Sequence, residues 1–387
     1  MKKKKMVRDA RFDYWNYPNI NRIVEAALYY GFTPLNAIAV EKQDKEHGHT
    51  FTPDLEPDFP MHIEERLALV RTFFLKPHSN PPTMTVCRHN VPRRHEFVLD
   101  IIGTQRPIAD ATVIKTAYEA AKCEGYEDLC VELNSVGDRE SLTRYTRELT
   151  AYYRKYISDL HPDCRQTFKK NPFQILSCNH EKCLMLRERS PHIMSYLSEP
   201  SRDHFKELLE YVEMTGMTYS INNSLIKDSG IALHTVFSMY GREEGKKEVE
   251  RLAWGMRWTG LAKKIGLKKD VPGVSAVISL KKHDSKCIKK IRKPQFYFIQ
   301  MGQEAKLKSL NLIESLRQSK IPIYHSLTKD KLTAQLSSAE YLRVPYILIM
   351  GQKESLDNTI LIREMSTRSQ DTVRMDRAAD YLKKLIS

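Results

Sequence analysis

Strand-like runs lie on both sides of a long helical block, and this arrangement constrains the chain more than any single motif. "TMTVCRH" and "EFVLDIIG" flank the short basic turn "NVPRRH" and predict an antiparallel pair, while "DLCVELNSVG" predicts a further strand ending in a turn. Two helix-rich segments follow at about 138–158 and 180–214, and strand-like texture returns at about 217–223, 231–240 and 273–280. Strands separated in this way must still pair. The expected class is therefore α+β, an antiparallel sheet domain with a helical insertion over about 138–215.

Ahead of this core, "NINRIVEAALYYGF" reads as a helix with an apolar stripe of Ile20, Ile23, Val24, Ala27 and Leu28 that closes near Gly31. Residues 43–60, with Pro53, Pro57 and Pro60, read as a loop, and a helix is expected at about 110–124. After Lys293-Pro294 the texture changes. "QFYFIQMG", a helix at about 303–318, "PIYHSL", a helix at about 330–342, "PYILIMG", "TILIREM" and a terminal helix from about 376 form a separate α/β module. The expected division is a core over 1–290 and a second domain over 294–387.

With 387 residues, 41% of them hydrophobic, the chain can build two or three cores. No apolar run approaches a membrane span, and the MKKKK start leads into charged and aromatic residues, so a cytoplasmic protein without a membrane partner is expected. The seven cysteines are odd in number and scattered, which predicts reduced thiols. The net charge is +14, and between Lys263 and Lys293 eleven Lys and Arg face only Asp270 and Asp284. Such a surplus serves a polyanion or a solvated face. "CNHEKC" (Cys178, His180, Cys183), with Cys164 upstream, could be drawn as a zinc site, but it lacks a CxxC pair and no metal is expected. Arg93, Arg94 and His95 read as a basic loop tip, and His234 as a core or rim residue.

Several longer segments carry a resemblance to a known family. "ELNSVGDRESLTRYTRELTAYY" followed by "NPFQILSC", "GMRWTGLAKKIG" with Gly255, Arg257, Gly260 and Leu261, and "LTAQLSSAEYLRVPYILIMGQKE" with "TILIREMSTRSQDTV" resemble histidyl-tRNA synthetase, a class II aminoacyl-tRNA synthetase. The resemblance implies a class II synthetase-like antiparallel sheet domain with a helical insertion, a C-terminal α/β anticodon-binding-like domain, and a homodimer. Ile38 stands where the dimer-building motif has proline. It also implies a reaction in which histidine and ATP give histidyl-adenylate and the histidyl group passes to tRNA.

That reaction brings two anions together, so it needs positioned cations. The resemblance places Arg88 against the α-phosphate and Lys282 where an Arg meets the γ-phosphate, with Ser275 and Ser279 at two glycine places beside the adenine. Asn90 holds an acidic place, and the loop over ATP contracts to Val91–His95. In "SLIKDSGIALHTVFSMYG", Lys227 falls at a catalytic Arg, Gly230 at an Asp, and Ile231 and Ala232 at two pocket tyrosines. Lysine keeps charge but loses the planar fork, and Gly, Ile and Ala offer an imidazole no hydrogen bond. Glu64 is the counterpart of the residue that takes the substrate ammonium.

The leading reading is a histidyl-tRNA synthetase-like paralogue with substituted active-site residues that binds tRNA or a tRNA-like RNA and requires no cofactor. The alternative is a divergent active histidine–tRNA ligase using ATP and Mg²⁺. A regulatory subunit of ATP phosphoribosyltransferase shares the core, but the C-terminal domain counts against it. Phosphate contacts are expected from Lys286, Lys289, Lys290, Arg292 and Lys293, with the C-terminal domain supplying shape recognition.

Overall fold

A computed structural model describes residues 20–35, 37–48, 61–74, 83–226, 230–281 and 293–386. Its elements run α1 (Arg22–Tyr29), β1 (Thr33–Leu35), α2 (Lys42–Gly48), α3 (Ile63–Phe74), β2 (Thr83–Val91), β3 (Arg94–Ile102), α4 (Pro107–Cys123), β4 (Tyr126–Ser135), α5 (Arg139–Lys155), α6 (Pro162–Lys170), α7 (Glu181–Glu188) and α8 (Glu199–Met214). There follow β5 (Tyr219–Ile221), β6 (Ala232–Glu243), β7 (Val249–Trp258), α9 (Leu261–Lys264), β8 (Gly273–Lys281), β9 (Phe296–Gln300), α10 (Gln303–Gln318), β10 (Ile323–His325), α11 (Leu332–Leu342), β11 (Tyr346–Met350), α12 (Gln352–Asp357), β12 (Thr359–Glu364), β13 (Gln370–Arg374) and α13 (Ala378–Ile386). They fall into two units, one within residues 37–83 and 88–281, the other within 1–36, 84–87 and 282–387.

The larger unit is organised by an eight-stranded sheet of order β1-β2-β3-β8-β7-β6-β4-β5, whose first strands lie where the division between units falls. Antiparallel ladders join β3 to β8, β8 to β7, β7 to β6 and β6 to β4, while the short β5 runs parallel to β4 at the edge. The antiparallel sheet expected from the sequence is therefore present. Its strand β7 has no counterpart in the sequence reading. Leu252 to Trp258 are all buried, but Glu250, Arg251, Gly255 and the buried Arg257 interrupt the apolar run that would mark a strand covered on both faces.

Behind the sheet, α4 starts with Pro107 at its first turn and is buried along most of its length, an alanine-rich helix narrow enough to fit between β8 and α8. The helical insertion follows β4. Asp138 caps α5 by accepting from the Ser141 amide at 2.8 Å, and α5 buries Ser141, Tyr145, Leu149 and Tyr153, one residue per turn. The expected helical stretch at 180–214 is divided into α7 and α8, and Ser198 caps α8. Residues 42–48 are helical rather than part of a loop. Asp44 is fully buried and accepts from Arg71 at 2.8 Å, a tertiary ion pair that no local pattern announces; residues 49–60 lie outside the described residues.

In the other unit, a five-stranded sheet of order β10-β9-β11-β12-β13 has its first three strands parallel and its last two antiparallel additions. Its core is apolar, with Phe296, Phe298, Ile299, Ile347, Leu348 and Met350 at or near zero exposure. The edge strand β13 and short α12 were not expected from the sequence, since "QDTVR" is exposed along most of its length and carries no alternation. The first helix belongs here. Asn21 caps α1 by accepting from the Val24 amide at 2.8 Å, the Tyr30 hydroxyl donates to Glu314 at 2.9 Å, and the His325 Nε2 lies 3.1 Å from the Tyr29 carbonyl oxygen. Ile20, Ile23, Ala27 and Leu28 are buried within the single chain. The apolar stripe of α1 is thus already covered and gives no argument for a dimer.

Candidate functional site

The described positions that the resemblance assigned to catalysis lie in α3, β2, the β2–β3 turn, the start of β6 and β8. Arg88 stands exposed in β2. Glu64 opens α3 and packs against the end of α2, where a Cβ on Gly48 would come 2.5 Å from its Cγ. Lys227, Lys282, Lys286, Lys289, Lys290 and Arg292 lie outside the described residues; Lys293 is exposed. The two tyrosine places hold a buried Ile231 and Ala232 at the mouth of β6.

Register brings the substituted glycine places under β3. Asp100 pairs with Ser275 and Glu96 with Ser279 across the β3–β8 ladder. The fully buried Ser275 is not available to a ligand: its hydroxyl donates to Asp100 at 2.5 Å and accepts from the Trp258 indole N–H at 2.7 Å. Asp100 in turn accepts from the Arg66 guanidinium at 2.8 Å, and Arg66 also donates to the Met61 carbonyl at 2.8 Å. Burial pushes the Asp100 carboxyl above its ordinary range against the pull of Arg66 and Ser275. The Trp258 ring lies where a Cβ on Gly273 would have to be, so bulk as well as hydrogen bonding closes this face.

Ser279 is engaged too. Arg94 donates to its hydroxyl at 2.8 Å and to its carbonyl at 2.5 Å, and reaches Glu250 at 3.2 Å. Lys281 pairs with Glu250 at 2.9 Å, so this member of the basic stretch is bound to a carboxylate rather than open to a phosphate. Although burial alone would raise it, Lys281 and Arg94 hold Glu250 below the usual carboxylate range.

Sequence reasoning missed a second cluster beside Arg88. His62 and His89 stack at 4.0 Å, His62 lies 3.0 Å from Glu96, and His89 lies 3.2 Å from Glu65. The signal was absent because His62 and His89 come from different elements. Deeper in the sheet Arg257, one of the residues shared with the family signature, is fully buried and gives its fork to Asp110 at 2.5–3.1 Å and to the Thr104 and Arg106 carbonyls. His204 and His234 stack nearby at 4.4 Å; burial depresses both, His204 to about 4. For His234 burial is the main cause and Arg257 adds to it, in keeping with a core or rim residue.

In this region the charged side chains meet one another: Arg66 with Asp100, Arg257 with Asp110, and Arg94 and Lys281 with Glu250. Residues 295–385 match the family profile described as anticodon binding domain. The chain is 30% identical over 298 residues to histidine–tRNA ligase from Geobacillus sp. strain WCH70, an alignment covering 76% of this chain and 70% of that protein. It is 28% identical to histidine–tRNA ligase from Bacillus subtilis strain 168, covering 75% and 69%. Among solved structures, apo histidyl-tRNA synthetase of S. aureus superposes with a TM-score of 0.52 at 19% identity, covering 94% of each chain, which shows the fold. No helix among the described residues is long and apolar enough to cross a membrane. With its antiparallel sheet, its insertion and its C-terminal module accounted for, the chain belongs to the histidine–tRNA ligase family.

Proposed function

We propose that the chain is a histidine–tRNA ligase relative that no longer forms histidyl-adenylate efficiently and acts by binding tRNA or a tRNA-like RNA. The observation that carries this reading is the buried series Trp258–Ser275–Asp100–Arg66. It occupies the face where the family resemblance puts glycines against an adenine, and each of its links is a satisfied hydrogen bond in a dry interior. A nucleotide would have to break them and leave buried polar groups unpaired. The buried Ile231 and the small Ala232 at the pocket positions support the same conclusion for histidine.

The RNA-binding half rests on the C-terminal module and on the basic stretch before it, in which Lys263, Lys268, Lys269 and Lys293 are exposed. The competing reading, an active ligase, has one feature on its side, the exposed Arg88 beside the paired histidines. Histidine-dependent exchange of pyrophosphate into ATP separates the two. The expected rate is at least about 10²–10³-fold below that of an ordinary ligase, the scale of losing a positioned phosphate contact. Exchange within about tenfold of such an enzyme overturns the proposal. RNA affinity should fall with salt by roughly 0.7–0.9 log units per log unit of salt for each phosphate contact. Joint replacement of Lys286, Lys289, Lys290 and Lys293 by Gln should flatten that slope.

A further inference from the structure

Between α5 and α8 the insertion is made of short pieces. α6 has nine residues, α7 has eight, and the 3₁₀ turn Pro172–Ser177 between them has six. Helices of this length do not hold themselves together in water, so this segment depends on what joins its pieces. Phe168, Phe173, Ile175 and Leu176 supply a small apolar core. The rest of the interior is sulfur.

Cys164 sits in the first turn of α6, Cys178 directly after the 3₁₀ turn, and Cys183 in the first turn of α7. Their Sγ atoms all lie within 4.8 Å of one another, and Cys164 and Cys178 are 3.1 Å apart, in contact without a bond. Cys183 is fully buried and Cys164 nearly so. The His180 Nδ1 lies 3.2 Å from the Cys178 sulfur. The His161 ring stacks on His180 at 3.6 Å, but its own Nδ1 already accepts from the Asp163 amide at 3.4 Å. Both imidazoles reach the Cys164 sulfur, within 4.8 Å, and His180 is preferred because its Nδ1 also lies against Cys178.

A disulfide would satisfy two of three sulfurs and strand the third. Thiols are weak hydrogen-bond partners, so their convergence from three separate turns is not explained by bonds among themselves. A tetrahedral zinc ion with Zn–S near 2.3 Å sets its sulfurs about 3.8 Å apart, the spacing these atoms straddle. We propose that Cys164, Cys178, Cys183 and His180 form a closed Cys₃His site for Zn²⁺ that ties α6, the 3₁₀ turn and α7 together. The sequence argued otherwise because the spacing Cys-x-His-x₂-Cys lacks a CxxC pair and its third cysteine is remote; the fold supplies what the spacing withholds. Soft thiolates with one imidazole select Zn²⁺ over Mg²⁺ or Ca²⁺, and four protein ligands leave no open position, so the role is structural.

The test uses the full chain purified without chelators. Elemental mass spectrometry should find about one zinc per chain, and titration of the wild-type protein with a mercurial should release that zinc as the clustered thiols react, a readout that needs no variant to fold. Replacement by Co²⁺ should give thiolate-to-cobalt charge-transfer absorbance and the visible bands of a tetrahedral ion. Cys183→Ser and Cys178→Ser should lose stoichiometric zinc, whereas Cys130→Ser should keep it. His180→Ala should weaken retention against a chelator and His161→Ala should not; the reverse pattern overturns the assignment of His180. Metal-free wild-type protein with a Cys164–Cys178 disulfide in its peptide map overturns the site.

Discussion

The two sheets of this molecule carry opposite interiors. Under the eight-stranded sheet Arg66, Asp100, Asp110, Arg257, Ser275 and Asn134 are all fully buried, whereas the five-stranded sheet closes over phenylalanine, isoleucine and leucine with Gln300 and Gln335 as its main buried polar pair. Those buried groups are satisfied by each other, and Ser275, bonded to both Asp100 and Trp258, shows how. The five-stranded sheet buries fewer such groups, and its core is held by apolar packing.

Removing one half of a buried ion pair should separate the two regions most sharply. Asp110→Ala leaves the Arg257 guanidinium without its carboxylate in a fully buried place, and should cost about 3–5 kcal/mol of the larger unit's stability. Urea unfolding followed by tryptophan fluorescence reads it, since Trp254 and Trp258 both lie in that unit. A loss under about 1 kcal/mol would mean that the interior of this sheet is as forgiving as a surface.

The next effect concerns pH. Burial lowers His325 to about 4, so the native state keeps it neutral while the unfolded chain takes up a proton below about 6.5. The unfolded state then binds more protons, and stability falls as pH drops through this window, by about 3 kcal/mol at its full extent near pH 4. Pulse proteolysis in urea at pH 5 and 7 should show the loss in the C-terminal unit. His325→Phe should flatten it there, while the larger unit keeps the parallel window set by His204.

Ser275→Gly restores a family glycine and tests whether one residue closes the nucleotide face. It should cost about 1–3 kcal/mol by leaving Asp100 and the Trp258 N–H short of a partner. It should not bring back pyrophosphate exchange, because the Trp258 ring still covers Gly273. The smallest effect is the cap. Asn21→Ala should remove about 1 kcal/mol from the C-terminal unit alone, measured by the same proteolysis, although the residue lies at the other end of the chain.

The strands that were legible in the sequence are those with an apolar run bounded by turn residues, whether one face or both are covered. β2 and β3 declared themselves around a basic turn, and the alternating module after Pro294 could be read almost strand by strand. β7 was hidden because Glu250, Arg251, Gly255 and the buried Arg257 interrupt its apolar run, α2 because Asp44–Arg71 rather than periodicity holds it, and β13 because it is mostly polar and exposed. At the site the resemblance located Ser275, but as a substitution. That its hydroxyl bridges Trp258 and Asp100 depends on a register between strands whose residues are 175 positions apart. The cluster of His62, His89, Glu65 and Glu96 was invisible for the same reason.

The position of α1 has a consequence for how the protein is made. The helix leaves the ribosome long before its cover does, since the surface of α10 on which it rests is translated about 280 residues later. At about 5–20 residues per second the interval is about 15–60 s, long compared with the time a helix takes to form or a small domain to collapse. Throughout it Ile23, Ala27 and Leu28 are a nascent apolar stripe without their final cover. Two segments made far apart in time must therefore meet, and a chain stalled before α10 would present that stripe to chaperones and proteases.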